Sequence, residues 1–121
     1  MRYAALIYVA EPDPGSITPE AWAEMVDAYD RFGKDGNDAG VIVGGAPLQP
    51  TTTATTVRVR EGHRLTTDGP FAETREALAG FFLFECADLD EAIAWAARIP
   101  GASIGSVEVR PILDLMAGPV G

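Results

Sequence analysis

Residues 80–100, GFFLFECADLDEAIAWAARIP, read as a strand, a cap, a helix and a stop. On a strand, Phe81 and Leu83 stand on one side and Phe82, Phe84 and Cys86 on the other. Both sides are therefore apolar. Asp88 and Glu91 have the spacing of a capping box, with Asp as the cap. The spacing predicts a helix with Leu89, Ala92, Ile93 and Ala96 on its inner face, and Pro100–Gly101 ends it.

The same grammar runs outward from this unit. Residues 3–9, YAALIYV, form a second strand that is apolar on both sides, with Tyr3, Ala5, Ile7 and Val9 opposite Ala4, Leu6 and Tyr8. EPDPG then breaks the strand. Thr18 caps a first helix, Pro19 suits its first position, and Glu20 suits the positive end of its dipole. Trp22, Met25, Val26, Tyr29 and Phe32 follow at helical spacing, and Gly33, Gly36 and Gly40 predict a ragged end. VIVGGAPLQP (41–50) reads as a strand leaving through glycines and prolines. TVRVR and HRLTT flank Glu61–Gly62 as a hairpin, VEVRPIL (107–113) is the last strand, and AGPVG is a loose tail.

The order is β-α-β, a hairpin, then β-α-β. That order predicts an α+β fold: a ferredoxin-like subunit with a hairpin inserted in its middle, in one domain spanning 1–121. Two helices cover one face of such a sheet, and an antiparallel sheet with a wet second face should alternate polar residues. These strands do not alternate. The expected remedy is a homodimer, sheet against sheet, enclosing a barrel-like space. The alternative is that the hairpin and tail fold over that face within one chain.

The totals bound the function. The chain has 121 residues, 18 acidic against 9 basic side chains, and a net charge of −9. That balance argues against nucleic acid and against an anionic membrane surface. Cys86 is the one cysteine, so no internal disulfide forms, which suits a cytoplasmic protein, and its position at the end of an apolar strand reads as a buried structural thiol. No segment has the length of a membrane span, and no signal-peptide cleavage site is evident. GVIVGG lacks the Gly-Lys-Ser/Thr ending of a phosphate loop. His63, the one histidine, lies by a turn and has no partners spaced for a triad or a metal. No cofactor or metal is expected.

The chemistry concentrates in residues 68–78, DGPFAETREAL. Asp68 cannot close an Asx-turn on Pro70, which has no N–H, so its carboxylate turns to the Phe71 amide, to Arg75 or to a ligand. Asp68 and Glu73 are the acid–base candidates, provided burial raises the pKa of one of them. Arg75 is the anion clamp for a carboxylated or enolate-like compound. Thr74, Glu76, Phe71 and Tyr8 are the remaining binding candidates, with Tyr8, Phe82 and Phe84 or the face opposite them lining the space between sheets. Residues 72–78 read as a short helical turn or an ordered loop. The same cluster also reads as a capped turn and ion-paired loop that only holds a subunit interface.

The run DGPFAETREALAGFFLFE, with ADLDEAIAWAARIP and GSVEVRPI after it, resembles the DGPF family of YCII-related proteins. That family carries a DGPFAETKE-type motif before a Gly-rich apolar strand; here Arg75 replaces the usual Lys and Ala79 stands where a second Gly is common. RYAALIY, GGAPLQP and TTVRVR extend the likeness over residues 2–113. The resemblance implies a dimeric α/β barrel. Relatives in the wider superfamily imply isomerase or lactone-type acid–base chemistry. The company members keep with extracytoplasmic-function sigma factors implies a regulatory protein partner and a non-catalytic accessory role as the alternative. The His–Asp pair of the wider YCII branch does not carry over, because residues 1–62 hold no His.

Overall fold

A computed structural model describes residues 1–120 of the chain; Gly121, the end of the expected tail, lies outside the described residues. Its main elements in chain order are β1 (Arg2–Val9), α1 (Pro19–Asp38), β2 (Ile42–Pro47), β3 (Thr55–Arg60), β4 (His63–Asp68), β5 (Ala77–Glu85), α2 (Leu89–Ala96) and β6 (Ser106–Pro111). Short 3-10 turns follow β2, α2 and β6. Four strands form one antiparallel sheet in the order β2-β5-β1-β6, and β3 and β4 pair only with each other. This is the ferredoxin-like α+β arrangement, with the hairpin outside the main sheet.

The caps act as their side-chain chemistry dictates. The Ala21 N–H donates to Thr18 Oγ1 at 3.1 Å, and the Glu91 N–H donates to Asp88 Oδ1 at 2.9 Å. Each satisfies one of the donors that a helix start leaves unpaired. α1 continues through Gly33 and Gly36 to Asp38, so its end is less ragged than the glycines suggest. At Gly36 a β-carbon would collide with the Ile42 side chain, so the glycine lets β2 pass close beneath the helix.

The core lies between the helices and one face of the sheet. Tyr3, Ala5 and Ile7 of β1 and Phe84 of β5 point into it, and Phe84 is 0% exposed. Phe32 of α1 meets the Phe82 ring edge-on at 5.1 Å and the Trp95 ring at 6.2 Å, geometries that favour aromatic pairs. Arg98 lies 4.5 Å over the Trp95 ring and bonds Asp35 at 2.6 Å, tying the end of α2 to the end of α1. Cys86 is buried; burial pushes its thiol pKa up, and the nearby Glu91 carboxylate adds to the rise. A thiol so placed is a packing group, not a nucleophile.

Several expected core positions lie elsewhere. Only the second half of α1 lies on the sheet, so Tyr29 and Phe32 pack while Met25, Val26 and Trp22 remain exposed, Trp22 at 56%. A 20-residue helix is about 30 Å long and outruns the core that can cover it. On α2 the small residues Ala92 and Ala96 are buried, whereas Leu89 and Ile93 stand half exposed over β6. Helical spacing names a stripe, but which edge of it touches the sheet depends on how the helix is rolled.

The other sheet face is open. Leu6 pairs with Phe81 and Ala4 with Leu83, which puts these four side chains together on the side away from the helices. All four are half-buried in the single chain, and among the described residues neither hairpin strand pairs with this sheet. The chain exposes 8889 Å². A compact monomer of 12.8 kDa exposes roughly 6,300 Å², so this subunit carries roughly 2,600 Å² in excess.

Candidate functional site

β1 and β5 run antiparallel, and the last pair of their ladder is Val9↔Ala77. Whatever follows β1 must therefore sit beside whatever precedes β5. That register brings the EPDP segment against the 68–76 motif. The result is an open groove of about 490 Å³, lined by Glu11, Thr51, Thr52, Gly69, Pro70, Ala72, Glu73, Thr74, Arg75 and Ala77.

Three polar latches build it. The Thr51 N–H and hydroxyl both donate to the Glu11 carboxylate, at 2.9 and 3.0 Å, which fastens the 51–53 turn to the end of β1. The Gly69 N–H donates to the Ala54 carbonyl at 2.7 Å, and Thr56 Oγ1 donates to the Gly69 carbonyl at 2.8 Å, closing the stem of the hairpin. Gly69 has φ +96°, a conformation that suits glycine, so the Gly-Pro step turns the chain out of β4. Third, Thr74 Oγ1 donates to the Glu76 carbonyl at 2.5 Å, and Ser106 Oγ donates to Glu76 Oε1 at 2.8 Å. Residues 72–76 are thus an ordered loop rather than a helical turn, and β5 begins at Ala77, three residues earlier than the apolar run suggests.

The motif residues divide between two jobs. Glu73, Thr74 and Arg75 line the groove. Glu76 is half-buried and serves as a brace between the loop and β6. Asp68 ends β4 opposite Thr55 and lies outside the groove, and its carboxylate pairs with neither Phe71 nor Arg75. Phe71 projects from the loop, 80% exposed, so it anchors nothing within its own subunit. Tyr8 sits on the open sheet face, level with Ser106 and Leu78. Phe82 and Phe84 face the helices, so a space against the open face is bordered by Phe81 and Leu83 instead.

Asp68 and Glu73 are both exposed in the single chain, so the subunit alone does not supply the burial that an acid–base role calls for. Arg75 is exposed and, among the described residues, joins no ion pair. Among the described residues no group of three or more His, Cys, Asp or Glu side chains is placed to hold a metal. Among the described residues no helix is long and apolar enough to cross a membrane.

Glu11, Thr51 and Thr52 are groove residues that sequence spacing does not reveal, because Glu11 lies 40 positions from Thr51 and both threonines lie outside the 68–78 motif. The one available signal was the topology: once β1 and β5 are neighbours, the residues just past Val9 must meet those just before Ala77.

The YCII-related domain matches residues 1–116. The chain belongs to the YCII-related family. This YCII-related protein is also similar to an uncharacterized protein of Rhizobium meliloti (strain 1021), 42% identical over an alignment that covers 93% of this chain and 92% of the relative.

Proposed function

We propose that this YCII-related protein is a homodimer that binds a small carboxylated compound in the groove beneath the 69–77 loop. The observation that carries the reading is Arg75: the one cationic side chain lining the groove, without an ion-pair partner among the described residues, in a chain with twice as many acidic as basic residues. A guanidinium offers a carboxylate two parallel N–H donors, and the motif's usual Lys would offer only a point charge. Glu73 borders the same groove and is the acid–base candidate that this reading retains; isomerase or lactone-type chemistry is its finer form.

Two observations favour the homodimer. The open sheet face is apolar at Ala4, Leu6, Phe81 and Leu83. The excess surface of roughly 2,600 Å² exceeds the ~800 Å² that each partner buries in a standard interface.

Native mass spectrometry of freshly purified protein, followed by calorimetric titration with a panel of small carboxylates, tests both parts. The expected result is a dimer that carries or takes up one carboxylate per subunit. Arg75→Gln should weaken that uptake by about tenfold or more, while Arg75→Lys keeps part of it. Uptake that is indifferent to Arg75→Gln removes the anion clamp, and a stable monomer removes the dimer.

A further inference from the structure

We infer that the β3–β4 hairpin is an arm that clasps a second copy of this chain, laying its Val57–Val59 face on the partner. The inference rests on the homodimer reading above and names the element that reaches across.

Beyond its stem the hairpin has little support from its own subunit. Of its twelve strand residues only Thr56 is even half-buried, and its strands pair with nothing but each other. A lone two-stranded hairpin is marginally stable in water and needs a surface to pack against. Its own open sheet face is not that surface, since neither hairpin strand pairs with that sheet. Yet its backbone is well specified. Glu61 and Gly62 both have positive φ, 52° and 77°, the tight turn that matches strand twist. The stem is closed by the bonds between Gly69, Ala54 and Thr56. Strands of six residues make an arm about 20 Å long.

The pairing register divides the arm into two faces. Val57 sits opposite Thr66, Val59 opposite Arg64 and, at the stem, Thr55 opposite Asp68, so these six share one face. Thr56, Arg58, Arg60, His63, Leu65 and Thr67 make the other. Two β-branched valines left 58% and 60% exposed on a strand suit a packed surface rather than a wet one. Arg64 at the tip adds a cation to that apolar face.

The partner surface is complementary in charge. The hairpin holds three arginines, Arg58, Arg60 and Arg64, against Glu61 and Asp68; Arg64 is the one on the Val57–Val59 face, and Arg58 and Arg60 give the arm its net positive charge from the other. The rest of the chain is strongly acidic, with six carboxylates on α1 alone against Arg31 and Lys34. A second copy therefore offers what the arm lacks, an acidic body with uncovered apolar surface. Complementary charge of this kind steers association and fixes register.

Sedimentation equilibrium of the full chain tests the arm, using wild type, Val57→Asp/Val59→Asp, Arg64→Glu, and Leu83→Asp on the open sheet face. The expected result is a wild-type dimer whose dissociation constant rises about tenfold or more in the double variant and less in Arg64→Glu. Added salt should weaken the wild-type dimer and barely affect Arg64→Glu. A wild-type dimer matched within about twofold by the double variant, yet broken by Leu83→Asp, overturns the arm and leaves the dimer standing. A wild-type monomer overturns both. Hydrogen exchange of wild type gives a readout free of any folding defect: hairpin amides 55–68 should exchange more slowly in the dimer than after dilution to monomer. Equal rates in the two states overturn the arm.

Discussion

The two β-α-β units and the segment between them are built on different physics. Between the units, from Leu48 to Glu76, not one residue is buried, whereas within them β1, the second half of α1, the far half of β5 and α2 close around Phe84 and Phe32. The first region is held by apolar packing. The second, which includes the hairpin and the whole DGPF motif, is held by a few hydrogen bonds: Thr51 to Glu11, Gly69 to Ala54, Thr74 and Ser106 to Glu76. A net contribution of about 1 kcal/mol per hydrogen bond positions a loop but does not fold a domain. The division matches the proposed roles, since binding and docking residues sit on loops carried by a rigid scaffold.

The sharpest way to break this contrast is to strike the packed region. Phe84→Ala should cost about 3–5 kcal/mol in urea unfolding, because it empties the fully buried centre of the aromatic cluster. A cost below about 1 kcal/mol would mean that the core is not where the packing says it is. Gly45 comes next. It has φ +146°, and a β-carbon there would lie 2.5 Å from the Phe81 carbonyl oxygen, so Gly45→Ala should cost about 1–3 kcal/mol by pushing β2 off β5. Its check is the loss of amide protection along the β2–β5 ladder.

A smaller effect should appear at alkaline pH. The folded-state pKa of Cys86 is raised above the ordinary thiol value of 9.0, chiefly by burial and then by Glu91. The folded state thus holds the thiol proton more tightly than the unfolded chain. The stability tied to this thiol is complete below about 9 and is lost as pH rises from there toward the folded-state value. Tyr29, also raised by burial, acts in the same direction from its own higher starting value. Melting temperatures measured across this window should fall more steeply for wild type than for Cys86→Ala. The smallest effect belongs to the motif: Phe71→Ala should shift stability by less than about 0.5 kcal/mol, since the ring touches little in its own subunit. A large loss there in dilute monomer would erase the distinction between the two regions.

Much of the fold was legible because short-range rules govern it. Thr18 and Asp88 cap where cap chemistry says they should, and the apolar runs at 3–9 and 80–87 are the two central strands, β1 and β5, to within a few residues. The misreadings have a common origin. Trp22, Leu89 and Ile93 lie on genuine helical stripes, but the depth of a stripe depends on helix roll and on where the sheet ends. The loop at 72–76 could be assigned only once Glu76 found Ser106, a partner 30 residues away.

By itself the sequence determined the element order, the caps, the acidic character and the two-sided apolar strands. These depend on residue type and local spacing alone. Only the tertiary structure decided that Glu11 and Thr51 join the motif, that Glu76 braces rather than lines the groove, and that Phe82 and Phe84 face the helices while Phe81 and Leu83 face outward. The reason is strand register: a shift of one residue exchanges the two faces of a strand, and the pairing partners that set the register lie far away along the chain.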